Sequence, residues 1–454
     1  MLGGATGNPF YDTWVDTLTL DGFLATDDLG HQLVSLLNGA PIDTGKRGIA
    51  QFPGKGVRQT PRPWVAAPLG VILTLSNLRG VPYRLGFPGE LEESYVDHAD
   101  CIRYALRYDG QPVGPLRPDE LALGFAGASP QDWLDFAQFA CATAAFPAGF
   151  PPRELARPTL HYRYRVIRRA PTDPAAAVPG APPYVALEPD WDALGAPRVP
   201  RQYRFLTVDG GATDNEPIEL ARTALCGIAG SNPRAGDKAN RAVLLIDPFA
   251  GKTGLGPDQA ESLAPVLGAI VNAVLQQTRY DSRDLVLAAD PDVMSRFMLT
   301  PRRAVVVDGN ADSVVGDAAI ASSGLGAFIG FSCPEFMRHD YLLGRKNCQD
   351  FLRDVFTLDA TNPVFDLAGK PPPAGQLPII PLVDGAARPQ SQPAWPSGVL
   401  NPERYRKAID ARVRAVFKEQ AGWLGAVAGR FVQGKIADLF CQAVNAYMAR
   451  AKLF

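Results

Sequence analysis

Short apolar runs alternate along the chain with longer stretches in which apolar residues recur every three or four positions. That pattern predicts strands alternating with helices. Pro68-Leu69-Gly70-Val71-Ile72-Leu73-Thr74-Leu75 reads as a buried strand ended by Ser76-Asn77. Ser129-Pro130-Gln131-Asp132 combines a capping serine, a proline at the first helical position and an acid three residues after the serine. A helix is expected from there to about Phe146, with Trp133, Phe136, Ala137 and Ala140 on one face. Tyr203 to Val208 predicts a strand and Ile218 to Ile228 a helix. Val243-Leu244-Leu245-Ile246 is continuously apolar, as in a parallel strand buried on both faces. Asp258 to Tyr280 predicts a long amphipathic helix and Arg303 to Val307 a strand. From Ala318 the pattern is mostly helical and includes His339 to Leu358. Two helices, Pro402 to Ala421 and Leu424 to Leu453, come last; Asn401 caps the first, with Pro402 just inside it.

This order of elements predicts a layered α/β fold with a helical C-terminal part. Two Pro/Gly/Ala-rich stretches punctuate it. Pro171 to Pro200 reads as an excursion inserted before the strand that follows, and Asp366 to Pro402 as a linker or surface wrap. The expected organisation is an α/β domain over residues 1–365, a Pro-rich linker over 366–400 and a C-terminal helical segment over 401–454.

Composition narrows the function classes. Of 454 residues, 46% are hydrophobic and 20% charged, which suits a soluble globular protein. A net charge of −2 provides no field that would draw nucleic acid or an anionic membrane. Cys101, Cys141, Cys226, Cys333, Cys348 and Cys441 show no Cys-x-x-Cys spacing and read as reduced, mostly buried thiols of a cytoplasmic protein. His31, His98, His161 and His339 show no His-x-x-x-His pattern, so neither a metal nor a cofactor is expected. His161 reads as a strand residue, and His31 and His98 as surface or packing residues. Trp14, Trp64, Trp133 and Phe146 read as core. The N-terminus has neither the basic region nor the apolar stretch of a signal peptide. The longest apolar run, Val65 to Leu75, is too short to span a bilayer, so any membrane contact is expected to be peripheral.

The chemistry concentrates in Arg204-Phe-Leu-Thr-Val-Asp209-Gly210-Gly211-Ala-Thr-Asp-Asn215-Glu-Pro-Ile-Glu219. An apolar strand runs into a carboxylate, two glycines and a helix start. Gly210 and Gly211 permit positive φ and close backbone approach. A carboxylate at the carboxyl end of a strand is where a ligand reaches an open α/β sheet. Asn215 reads as a helix cap or a side-chain tie across the turn. Asp308-Gly309-Asn310 and Asp384-Gly385-Ala386 share part of this pattern but lack the Asn-x-Pro sequel, and both read as turns.

Several segments in order resemble the patatin-like phospholipase family. Val208-Asp209-Gly210-Gly211 with Asn215-x-Pro217 is similar to its Asp-Gly-Gly/Ala motif. Ala142-Thr-Ala-Ala-Phe-Pro-Ala-Gly-Phe-Pro-Pro152 is similar to its Ala-Ser-x-Ala-x-Pro segment. Leu73 to Gly80 resembles its central strand and following turn. Ser35-Leu-Leu-Asn38 resembles a stretch shortly after the nucleophile helix, and His339 to Gln349 a segment of larger bacterial members. The resemblance covers about residues 8 to 360. It implies a three-layer α/β/α sheet and a lipid acyl hydrolase acting on phospholipids or related acyl esters through a Ser-Asp dyad. A serine on a Gly-x-Ser-x-Gly elbow would attack the ester carbonyl, and Asp209 would take its proton with no histidine between. N–H groups of a glycine-rich loop would hold the oxyanion. Gly210, Gly211 and Asn215 would support the Asp209 turn.

No serine in the chain stands in Gly-x-Ser-x-Gly, and the oxyanion loop is absent; Gly3-Gly4-Ala5-Thr6-Gly7 is a poor substitute. The resemblance places both elements upstream of Met1, which implies an N-terminally incomplete sheet. An unpaired strand edge or open apolar face is then expected near the Asp209 turn. His339-Asp340 reads as structural, because neighbours on a helix point to different faces. The competing readings are a hydrolase of which this chain holds only the Asp209 half, and a non-catalytic patatin-like binding or scaffold protein. A weaker third is an unrelated α/β enzyme in which Asp209 binds a metal or sugar.

Overall fold

The computed structural model describes residues 65–87, 91–107, 115–124, 130–145, 152–168, 184–194, 200–228, 230–248, 273, 277–278, 282–324, 327–367 and 369–454. The protein is mixed α/β. It divides into two compact units, the first within Gln32–Asn232 and the second built from Pro233–Lys252 and Ala288–Phe454. Expectations for Ser35 to Asn38, for Trp14, Trp64, His31, Ser129 and Phe146, and for most of Asp258 to Tyr280 lie outside the described residues.

The first unit is a six-stranded sheet that curls into a half-barrel. Its strands are β1 (Leu69–Phe87), β2 (Leu91–Arg107), β3 (Glu120–Gly124), β4 (Arg153–Pro158), β5 (Glu188–Pro189) and β6 (Gln202–Asp209). The order is β3-β2-β1-β6-β4, with β5 on β1. Only the β2–β3 pair is parallel; the others are antiparallel. Helix α1 (Pro130–Thr143) buries Trp133, Ala137, Phe139 and Ala142. Trp133 and Phe139 join the cluster formed by Leu75, Tyr83, Ile102, Tyr104, Leu155, Tyr203 and Phe205.

Ser76-Asn77 does not end the first strand. The register jumps from Ser76↔Ala99 to Val81↔Asp97, so a bulge of residues 77–80 is inserted and β1 continues to Phe87. Asn77 makes this possible. Its Oδ1 accepts the backbone N–H groups of Arg79 and Gly80 at 3.1 and 3.0 Å, and its Nδ2 donates to Asp100 at 3.3 Å. A turn-forming residue here satisfies a bulge instead of stopping the ladder. Gly80 sits at φ 72°, and a Cβ there would meet Val96 Cγ1 at 2.5 Å.

The Asp209 strand itself is paired on both sides, and its neighbour β4 forms a sheet edge among the described residues. β6 pairs with β1 through Leu75↔Asp209 to Asn77↔Thr207 and with β4 through Arg153↔Thr207 to Pro158↔Gln202. Among the described residues the sheet ends at β3 and β4.

In the second unit, β7 (Val243–Ile246) pairs in parallel with β8 (Arg296–Leu299), as the apolar run suggested. It is not buried on both faces: Ile246 is 67% exposed. β9 (Arg302–Val307) and β10 (Asn310–Val315) form a hairpin. Its two-residue turn, Asp308 at φ 51° and Gly309 at φ 80°, has the positive φ pair that suits the strand twist. Two carboxamides close the outer edge of β9. Asn347 bonds both the N–H and the C=O of Arg302, each at 2.8 Å. Gln392 bonds both groups of Ala304, at 2.7 and 2.9 Å. Each amide imitates a residue of a neighbouring strand, which blunts an edge otherwise open to pairing. Gln392→Ala is therefore expected to speed hydrogen exchange at the Ala304 amide. Unchanged protection at that amide would remove this role.

Helix α2 (Ile218–Cys226) belongs to the first unit, and α3 (Pro334–Asp354) and α4 (Arg406–Ala451) to the second. The helical pattern expected to reach Leu358 stops at Asp354, and Thr357–Asp359 is a short strand. The two C-terminal helices expected on either side of Gly422 are one helix of 46 residues, about 69 Å long at 1.5 Å per residue. A helix-interior glycine costs about 1 kcal/mol and does not by itself end a helix. Asn401 does cap this region, its side chain accepting from Glu403 N at 3.0 Å ahead of a 3₁₀ turn, Pro402–Tyr405. The Pro-rich stretch wraps α3 and the end of α4. Gln349 donates to Ala386 O and Arg388 O, and Trp395 Nε1 donates to Ala451 O and Lys452 O. Ile329, Phe336, Tyr405, Val444 and Met448 lie in the core of this unit.

Candidate functional site

Asp209 ends β6, and its backbone and one carboxylate oxygen are held. Its N–H donates to Ala145 O, just past α1, at 2.9 Å. Its carbonyl accepts the Ser76 hydroxyl at 2.6 Å, and its Oδ1 accepts the Gly211 N–H at 2.7 Å. The carboxylate thereby caps the 3₁₀ turn Gly210–Ala212. Asp209 is half-buried, and no donor to its Oδ2 occurs among the described residues. Burial raises its proton affinity above the ordinary carboxylate range, partly offset by the Gly211 N–H. No cation among the described residues opposes that rise, so a carboxylate oxygen of enhanced basicity without a protein donor is available.

Both glycines are needed for the close approach expected of them, and not for positive φ. Neither has positive φ. A Cβ on Gly210 would lie 2.2 Å from Thr74 Oγ1 and 2.3 Å from Thr74 O, so the turn rests directly on the β1 backbone. A Cβ on Gly211 would lie 2.4 Å from Asn215 Oδ1 and 3.0 Å from Asp209 Oδ1.

Asn215 does not cap α2. The cap residue is Pro217, which makes no side-chain bond, and Asn215 Nδ2 donates to Glu216 Oε1 at 2.8 Å. The proline between Asn215 and the helix moves the asparagine too far back to reach the first free N–H groups. It covers Gly211 instead.

The structure adds residues the sequence did not indicate. Thr143 Oγ1 donates to Thr74 O at 2.6 Å, Thr207 Oγ1 to Ser76 O at 2.9 Å, and the Ser76 and Thr213 hydroxyls lie 2.9 Å apart. These partners are scattered along the chain as isolated hydroxyls, without a spacing that could mark them. Asp214, in the same turn, has its carboxyl raised by burial, with Arg165 acting against the shift and Asp97 with it. Arg165 is ion-paired to Asp97 and donates to Ala99 O at 2.7 Å.

The remaining candidates are structural. His339 is 3% exposed, and its Nδ1 bonds Asp340 Oδ1 at 2.7 Å. Asp340 also accepts Ala321 N, Ser322 N and the Ser322 hydroxyl. A carboxylate with four donors ties a loop to α3. His161 lies in a 3₁₀ helix, Thr159–Tyr164, not a strand. Asp384 begins a single helical turn. Cys333 and Cys441 are buried, but Cys101, Cys141 and Cys226 are intermediate and Cys348 is exposed, so most of the thiols are not fully buried. Among the described residues no cluster of three His, Cys, Asp or Glu side chains could hold a metal, and no helix is long and apolar enough to cross a membrane.

The chain is 31% identical over 437 residues to the uncharacterized protein y4iI of Sinorhizobium fredii (strain NBRC 101917 / NGR234). The match covers 85% of this chain and 59% of that protein, so the chain spans about three-fifths of the length of this relative. No protein-family model matches the chain. No solved structure gives a significant match.

Proposed function

We propose that the Asp209 turn is the proton-accepting half of a Ser-Asp dyad in a patatin-like lipid acyl hydrolase. The observation that carries this reading is the divided carboxylate: Oδ1 is fixed by Gly211 N–H, while Oδ2 has no donor among the described residues. In the proposed reaction Oδ2 takes the proton of a serine hydroxyl as its oxygen attacks the ester carbonyl. Half-burial, with no neighbouring cation among the described residues, makes Asp209 a stronger base than an exposed carboxylate. The substrate is a phospholipid or related acyl ester met at a membrane surface by peripheral contact, in the cytoplasm, with no cofactor and no nucleic acid partner. A three-layer α/β/α arrangement is part of this reading.

A serine in Gly-x-Ser-x-Gly does not occur in the 454 residues, so the nucleophile would come from outside them. The same observation favours the second reading, a non-catalytic patatin-like binding or scaffold protein. An in-frame glycine-rich loop followed by Gly-x-Ser-x-Gly in the coding DNA upstream of Met1 would support the hydrolase; a stop codon there would favour the scaffold. With that segment joined to the chain, Asp209→Asn is expected to lower phospholipid hydrolysis by on the order of 10²–10⁴-fold. Retained turnover would exclude Asp209 as the base. The 454-residue chain alone is expected to form no covalent adduct with a serine-reactive phosphonate.

Stability should move the other way. A carboxyl whose affinity for protons is raised by folding contributes stability that is fully present below its unfolded pKa. That contribution is lost as pH rises through the folded value. Asp209→Asn, which keeps an acceptor for Gly211 N–H, is therefore expected to raise the melting temperature at pH 7, with the gain shrinking below about pH 4. A lower melting temperature at pH 7 would contradict the burial argument.

A further inference from the structure

The geometry points to Ser76 as the positioning residue for Asp209, acting with Thr213 as a hydroxyl clip that holds the turn on β1 and aims its carboxylate. The functional meaning of this clip rests on the proposed role of Asp209 as the base; its physical test does not.

Ser76 is buried, and its Oγ donates to Asp209 O at 2.6 Å, with a longer approach to Gly210 O at 3.4 Å. Its single proton is committed to these carbonyls, so across the 2.9 Å contact the Thr213 hydroxyl is the donor. The chain Thr213–OH to Ser76–OH to Asp209 C=O thus joins the two ends of the 3₁₀ turn to one strand residue. Ser76 is itself fixed: Thr207 Oγ1 donates to its carbonyl at 2.9 Å, and it pairs in register with Val208 on β6 and Ala99 on β2. Thr74, two residues earlier on the same face, is the floor against which Gly210 presses, and Thr143 from α1 bonds the Thr74 carbonyl. The bed of the turn is therefore Thr74 and Ser76, and Ser76 is the one whose side chain reaches the residue that bears the carboxylate.

Two influences act on the Asp209 carboxylate among the described residues, burial and the Gly211 N–H. Both depend on the pose of the turn. If the clip opens, the carboxylate swings toward water and its proton affinity relaxes toward that of an exposed aspartate. A hydroxyl that merely filled space would leave this titration unchanged.

The test uses the full 454-residue chain labelled with ¹³C at aspartate carboxyls, with the Asp209 signal assigned by its disappearance in Asp209→Asn. In the unaltered chain the titration midpoint should lie above the ordinary aspartate value of about 3.9. In Ser76→Ala it should fall into the ordinary range while the near-ultraviolet circular dichroism is retained. Thr213→Val, which removes the donor to Ser76, should lower it in part; Thr213→Ser, which keeps that donor, should not. An unchanged midpoint in folded Ser76→Ala would overturn the inference. If Ser76→Ala does not fold, equal midpoints in Thr213→Val and Thr213→Ser would overturn it equally. A failure of the hydrolase reading would show separately, as retained turnover in Asp209→Asn. In an active extended chain, Ser76→Ala should lower kcat with KM unchanged.

Discussion

Arg157→Met is expected to destabilise the first unit by about 3–5 kcal/mol, because it leaves a buried carboxylate without its cation. Arg157 is 4% exposed, and its Nη1 donates to Asp100 Oδ1 at 2.7 Å and to Cys101 O at 2.8 Å. Its guanidinium also lies over the Tyr162 ring, 4.6 Å from the centroid. Burial works against the charge on Arg157, yet Asp100 together with Tyr162, Cys101 and Tyr83 outweighs it and holds the guanidinium proton more tightly than in water. After the substitution Asp100 keeps Cys101 N–H, Tyr162 OH and Asn77 Nδ2, but no positive charge bonded to it. Denaturant unfolding followed through Trp191, whose ring lies 5.8 Å from that of Tyr162, should register the loss. Asp100→Asn combined with Arg157→Met should recover much of it, since the unpaired charge is gone. A cost below about 1 kcal/mol for Arg157→Met would mean that water reaches Asp100 and that the pair is a surface contact in energetic terms.

Gly210→Ala is the second large effect, expected at about 1–3 kcal/mol or more. The added methyl meets Thr74 O and C at 2.3 and 2.5 Å. Those are backbone atoms of a strand paired on both sides, so neither neighbour can yield cheaply. The turn must lift from β1, which also breaks the Ser76 bond to Asp209 O. Gly211→Ala is a useful contrast. Its nearest obstacle is the tip of exposed Asn215, which can rotate away, but Asp209 Oδ1 stands only 3.0 Å from the new Cβ. Gly211→Ala should therefore cost less stability than Gly210→Ala while still displacing the carboxylate. Equal unfolding midpoints for the two variants would show that the turn is not seated on Thr74.

The elements that local pattern described correctly are those whose ends carry their own chemistry. The strand before Asp209, the helix from Pro130, the parallel run at Val243 and the cap at Asn401 are readable because alternation, proline placement and a capping side chain act within a few residues. Where the structure departs from the local pattern, a residue's own tendency did not decide its setting. Asn77 favours a turn, yet its amide meets Asp100 on the next strand, and the chain bulges instead of turning. Gly422 favours a break, yet α4 runs through it. Ile246 belongs to an apolar run that suggests burial on both faces, yet it lies open.

The sequence by itself determined that a carboxylate stands at the end of a strand, followed by two glycines and a helix, since all of that is written within sixteen consecutive residues. It also determined that no Gly-x-Ser-x-Gly serine accompanies it in this chain. Only the tertiary structure decided what the carboxylate can do. Its basicity depends on burial, opposed among the described residues only by the Gly211 N–H, and its aim on hydroxyls from Ser76 and Thr213 that lie 137 positions apart. Gly210 is required by the closeness of Thr74 on another strand and Gly211 by that of the Asn215 and Asp209 side chains, not by their own dihedral angles. Desolvation and close packing are properties of surfaces brought together by folding, so residue order alone does not carry them.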